Sequence, residues 1–192
     1  MRTPINRELI ARTNQLLFTL SAILLVGCGT NEVSKLAADL DKGDSKKRYK
    51  AAKKLEEFGS QAEPAVASLS AALKDSEAKV RYRAAKALSK IGPGARAATP
   101  ALAEALKDSD PQVRQYAAKA LCKIGEKAKG AASAVEGAIS DENADVRYWA
   151  VKSLAEFELK TASAVAALKK AAKDPDQNVR DAANDALKKT NS

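Results

Sequence analysis

DSEAKVRYRAAKALSKIG, residues 75–92, decides the fold. Val80, Ala84, Leu88 and Ile91 return every three or four positions, the spacing that lines up one face of an α-helix. Tyr82, Lys86 and Ser89 fall on the opposite face, which predicts one apolar stripe and one polar one. Gly92-Pro93-Gly94 then stops the helix, because proline cannot extend the hydrogen-bond ladder. After the break Ala98, Leu102, Ala105 and Leu106 form a second helical set. The unit is thus a helix A, a short turn and a helix B.

The unit repeats. DSDPQVRQYAAKALCKIG (108–125), DENADVRYWAVKSLAEFE (141–158) and DPDQNVRDAANDALKKTN (174–191) follow at a period of 33 residues. Val80, Val113, Val146 and Val179 keep step, as do Leu88, Leu121, Leu154 and Leu187. Two polar columns are equally regular: Asp75, Asp108, Asp141 and Asp174, and Arg81, Arg114, Arg147 and Arg180. The helix B set returns as Ala131, Val135, Ala138 and Ile139, then as Ala164, Leu168, Ala171 and Ala172. A weaker copy, KGDSKKRYKAAKKLEEFG (42–59), has Arg48 and Leu55 in register. Such gap-free self-similarity marks a solenoid, in which each unit buries its apolar stripe only against its neighbours. The expected fold is all-α, a right-handed α-solenoid of stacked helix pairs. Its expected parts are a half repeat at 33–40, repeats at about 41–74, 75–107, 108–140 and 141–173, and a capping helix at 174–192. Lys47 in the slot of Val80 and Asn184 in the slot of Ala85 read as polar caps.

The motif D-x5-R with valine before the arginine, then AAKAL and glycine, resembles HEAT repeats, and specifically the short bacterial type also found in phycobilin lyases. The resemblance covers residues 33–192. It implies a scaffold for protein partners or, through the lyase relatives, a cofactor-attachment factor. It also implies that the Asp/Arg columns form a structural ladder and that helix B lines the side where partners bind. Ankyrin repeats share the period, but their T-P-L-H-x-A signature is missing.

Composition agrees. Aromatics make up 4% of the 192 residues and charged residues 30%, too few rings for a sandwich or barrel core and a good supply of helix formers. Histidine is absent, which removes the usual near-neutral base and the commonest metal ligand. Two cysteines, Cys28 and Cys122, cannot build a Cys/His zinc site. No acid/base set stands outside the repeat slots, so no catalytic residue, metal or cofactor is assigned and an enzyme is not expected.

The first residues are of another kind. Arg2, Arg7 and Arg12 precede the apolar run Leu16–Gly27, which is too short to span a bilayer and has the layout of a secretory signal. Leu25-Val26-Gly27-Cys28 resembles the lipobox of bacterial lipoproteins. That resemblance implies cleavage after residue 27, a diacylglycerol on Cys28, a tether at 28–32 and export to a bacterial membrane. Gly29 in the next position favours the outer membrane in a Gram-negative cell.

A net charge of +9 permits acidic proteins, phosphates or anionic lipids and polymers as partners. Export and a proposed groove without stacking aromatics argue against nucleic acid. The expected partner is an unknown protein, and the expected state a monomer. On helix B the candidate binding residues are Glu104, Lys107, Glu136, Lys169, Lys170 and Lys173. On helix A they are Tyr148 and Trp149, beside a lysine column of Lys53, Lys86, Lys119 and Lys152 that reads as a solvated outer face. Half-buried packing between A helices is the other reading of the rings. Cys122, in the slot of Ser89, is expected on the outer side of its helix as a tolerated small residue.

Overall fold

A computed structural model of the chain describes residues 31–158 and 161–190. The predicted signal segment, Cys28 and residues 28–30 of the predicted tether lie outside the described residues. Helix α1 covers 31–42, so Asn31 and Glu32 are already helical where a tether is expected. The long A helices are α2 (Ser45–Phe58), α4 (Ala78–Ile91), α6 (Pro111–Ile124), α8 (Ala144–Glu156) and α10 (Gln177–Thr190). Between them run the B helices α3 (Val66–Ala72), α5 (Thr99–Ala105), α7 (Ala132–Ala138) and α9 (Ala162–Ala171), and α1 stands in the B row ahead of α2. Each A helix packs on the next A helix, and each B helix packs on the A helix that follows it, α3 on α4, α5 on α6, α7 on α8 and α9 on α10, which makes the chain an α-solenoid of stacked helix pairs. No strand occurs among the described residues.

The A helices begin and end for local reasons. Asp110 and Asn143 accept hydrogen bonds from backbone N–H groups of the first turn, as N-caps do. They sit two residues after the repeating aspartates, whose Oδ1 closes an Asx turn on the N–H two positions on, 2.8–2.9 Å away. At the other end Gly59, Gly92 and Gly125 take φ values of 55°, 68° and 70°, where a side chain is strained. The expected short turn is in fact a seven-residue 3-10 segment in the first three pairs, Gly59–Ala65, Gly92–Ala98 and Gly125–Ala131. In the fourth pair the glycine slot holds Glu158, which keeps the positive φ at 52°.

The core follows the apolar columns. Val80, Ala84 and Leu88, with their equivalents Val113, Ala117, Leu121, Val146, Ala150 and Leu154, are no more than 2% exposed. Leu69, Leu102, Val135 and Leu168 meet them from the B row. Each such leucine contributes roughly 1.5–3 kcal/mol through burial, and the alanines let successive A helices approach closely. Lys47 and Asn184 are exposed where their equivalents in central repeats are buried, as caps require. Two expectations fail on the supposed outer face. Ser89 and Cys122 are buried, at 7% and 8% exposure, because A helices meet over a wider arc than one apolar stripe.

The polar columns join repeats. Arg48, Arg81, Arg114 and Arg147 each grip the aspartate of the following repeat with two parallel bonds: Asp75, Asp108, Asp141 and Asp174 respectively, at 2.5–3.0 Å. The third guanidinium nitrogen of Arg81, Arg114 and Arg147 holds the carbonyl of its own repeat's aspartate at 2.9 Å. One side chain therefore ties two successive turns together. Hydrogen bonding by Arg147 holds the Asp174 carboxyl below its ordinary range, and Arg48 does the same for Asp75. Arg180 has no repeat after it among the described residues and bonds the carbonyls of Asp174 and Pro175 and the Gln177 side chain instead.

Candidate interaction surfaces

Rings and cations interleave along the A row. Arg83 lies 5.5 Å from the Tyr49 ring centre and 5.2 Å from that of Tyr82. Lys86 lies 5.6 Å from Tyr82 and 5.5 Å from Tyr116, and Lys119 follows at 5.5 Å from Tyr116 and 4.8 Å from Trp149. Such cation–π contacts contribute about 0.5–2 kcal/mol each, more as they lose water. Tyr82 meets Tyr116 edge-on, and Tyr148 meets Trp149 likewise, both at 5.3 Å. The expectation of a merely solvated lysine column is therefore wrong for Lys86 and Lys119, which are half-buried between rings. Lys53, at the head of that column, is exposed.

Glu56 anchors the front of this stack. It accepts from Arg83 at 2.8 Å and from Lys86 at 3.0 Å. Burial pushes the Glu56 carboxyl up, but the two hydrogen bonds outweigh it and hold the group below its ordinary value. Arg83 is further tied to the Tyr49 hydroxyl at 3.3 Å, while its Nε is buried without a hydrogen-bond partner. A cleft of about 500 Å³ opens beside it at the first turns of α2 and α4, lined by Lys46, Tyr49, Lys79 and Arg83 with Glu77 as the acid. At the far end Tyr148 and Trp149 line a hollow of about 310 Å³ with Asp145 and Asp176. Both rings are half-buried, and Trp149 already seats a lysine of its own chain.

The B row is open by comparison. Glu104 is exposed and pairs with Lys74 at 2.8 Å. Glu136 is half-buried and accepts from Ser163 at 3.0 Å. Lys170 donates to Ser140 across the α7–α9 gap at 2.8 Å. Between α5 and α7 a groove of about 590 Å³ has a floor of Gly130, Ser133 and Gly137 and carries Lys107. Its continuation toward α9, about 510 Å³, carries Lys169, Lys170 and Lys173. The side chains of Lys107, Lys169 and Lys173 are exposed and make no ion pair among the described residues. The six B-row candidates thus share one face, and Tyr148 and Trp149 belong to the A row. Sequence reasoning missed Glu56 and Arg83, whose pairing across 27 residues has no counterpart in the later repeats.

Cys122 offers no reactive thiol. Burial pushes it up to about 11, and nearby Glu156 adds to the effect. Among the described residues no group of three or more histidines, cysteines or carboxylates is placed to hold a metal.

A family model described as HEAT repeats matches residues 33–108 and 99–188. A designed armadillo repeat protein in complex with the peptide (KR)4 is 19% identical, with a TM-score of 0.71 over 82% of this chain and 81% of its own. The complex of CpcE and CpcF of phycocyanin lyase from Nostoc sp. PCC7120 gives 25% identity and a TM-score of 0.66, over 82% of this chain and 64% of that one. An engineered protein, 24% identical with a TM-score of 0.68, is matched over 83% of this chain and 48% of its own, so this chain spans about half its length. Among curated proteins none matches. With both matched segments lying along the stacked helix pairs, the chain belongs to the HEAT-repeat family.

Proposed function

We propose that this chain is a lipid-anchored, non-catalytic scaffold that holds a protein partner on its B face in a bacterial cell envelope. The observation that carries the reading is the contrast between the two rows. On the central A helices Arg83, Lys86 and Lys119 are spent on the chain's own rings and on Glu56, whereas the B-row groove keeps Lys107, Lys169 and Lys173 available over a floor of small residues. The groove has no large apolar anchor, which favours a modest interaction guided by charge. The peptide complex of the armadillo neighbour and the two-protein complex of CpcE and CpcF support a protein partner. The anchor rests on Leu25-Val26-Gly27-Cys28 and the apolar run before it.

Photo-crosslinkers placed at Glu104 and Glu136 in living cells test the partner face. One dominant adduct from both positions is expected; adducts from Tyr148 or Trp149 alone would move the site to the A row. Cys28→Ser should leave the protein without its lipid and release it from membranes, and an unchanged mass for the wild-type N-terminus would refute the anchor. The phycocyanin lyase neighbour favours a second reading, a cofactor-attachment factor. Recovery of the crosslinked partner as a chromophore protein would select it.

A further inference from the structure

One flank of α2 carries a row of cations that internal pairing leaves over. In α4, Arg83 and Lys86 reach back to Glu56 on α2. The same two slots in α2 hold Lys50 and Lys53, and no A helix precedes them among the described residues. Both are exposed, as are Lys46 and Lys47, and none of the four makes a side-chain hydrogen bond or ion pair among the described residues. Lys46, Lys50 and Lys53 share one stripe of α2, about 10 Å long. Of the acids nearby, Asp44 caps α2, Asp41 accepts from Ser68 and Glu57 pairs with Lys54, while Glu77 lines the cleft beside Lys46. On the last A helix Lys188 pairs with Asp185, and Gln177 donates a hydrogen bond to Asp181.

We propose that the front of the array, the unpartnered flank of α2, docks on the phosphates of an anionic lipid surface. Charge complementarity selects phosphate. A row of lysines along an exposed helix flank suits a surface of many headgroups. The geometry rests on the anchored reading above: three residues from Cys28 to Asn31 reach at most about 10 Å, which brings the α1–α2 end to the bilayer. A lipid chain combined with a basic patch holds far better than a single acyl chain. Each lysine near such a surface strengthens binding about fivefold, and salt weakens the effect.

The test is lysine footprinting of the full chain in vesicles of phosphatidylcholine alone, or mixed with phosphatidylglycerol. An amine-acylating reagent labels exposed lysines, and mass spectrometry reads each site. Labelling of Lys46, Lys50 and Lys53 should fall several-fold when phosphatidylglycerol is present and recover in high salt, with Lys123, Lys127 and Lys173 unchanged. Equal labelling in both vesicles, or uniform protection of all lysines, would overturn the docking. Protection by soluble glycerol phosphate without vesicles would also overturn it, placing a single anion in the cleft of Lys46, Lys79 and Arg83 instead. The mass of the N-terminal peptide reports lipidation of Cys28 separately, so failure of the anchor and failure of the lysine surface are distinguishable.

Discussion

Arg114 is the middle joint of the array, and replacing it by methionine should divide the protein. The Arg114 side chain is 9% exposed and that of Asp141 10%, with two bonds between them at 2.8 and 3.0 Å. Arg114→Met removes both bonds and the link to the Asp108 carbonyl, while Asp141 keeps only the Asn143 N–H. Leaving one member of a buried pair alone costs about 3–5 kcal/mol. The bond to Glu142 adds little, since that side chain is 84% exposed. The lower figure, about 3 kcal/mol, is expected because a tenth of each partner still meets water. In a one-dimensional stack such a loss falls on one interface. Trp149, the only tryptophan, reports on α8 beyond the joint. Urea unfolding of the detergent-solubilised chain should therefore show Trp149 fluorescence changing before far-UV circular dichroism in the variant, and together with it in the wild type. A double-mutant cycle with Asp141→Leu should give a coupling of about 2 kcal/mol, above the range of exposed pairs. Coupling below about 0.5 kcal/mol with coincident transitions would show that the ladder decorates the surface and does not join repeats.

Glu158→Gly should raise stability by about 1 kcal/mol in urea titrations, because it removes a side chain from a left-handed backbone position. Gly125→Ala should lower it by a similar amount: its φ is 70° and nothing lies within 4 Å of the new methyl, so the loss reads backbone strain alone. In acid the sign follows from Asp75 and Asp174, whose folded-state values are depressed. Their contribution is complete above the unfolded value near 3.9 and is lost as pH falls through the folded values. Thermal stability should thus hold from neutral pH to about 4 and then drop, less steeply in Asp174→Asn. In the Cys28→Ser variant Cys122 is the only thiol, and it should react with a maleimide only after denaturation; prompt reaction of the folded chain would contradict its burial.

The period of 33 residues was legible because every repeat keeps its alanine and leucine slots and all but the front one its valine, and in the central repeats those slots are the core. Helix B positions were legible for the same reason, since Leu102, Val135 and Leu168 fill one column. Side-chain partners across repeats were not. Nothing in one-dimensional spacing distinguishes Lys53, which faces water, from Lys86 in the same slot, which lies between two rings. The difference comes from what stands in front of each helix, and among the described residues no A helix stands in front of α2. Cys122 was misplaced because an A helix in a stack is covered on two flanks, so a residue opposite the apolar stripe still meets a neighbour.

The Asp/Arg joint has a consequence for assembly. Any array built of identical couplings can grow without limit if its last coupling fits its first, and head-to-tail growth of that kind ends in fibres. Here the rear presents Arg180, whose guanidinium is engaged by Gln177. The front presents Lys42 in the slot where every later repeat carries the accepting aspartate. A second copy arriving in register would set Lys42 against Arg180, like charge against like, where every joint between described repeats sets aspartate against arginine.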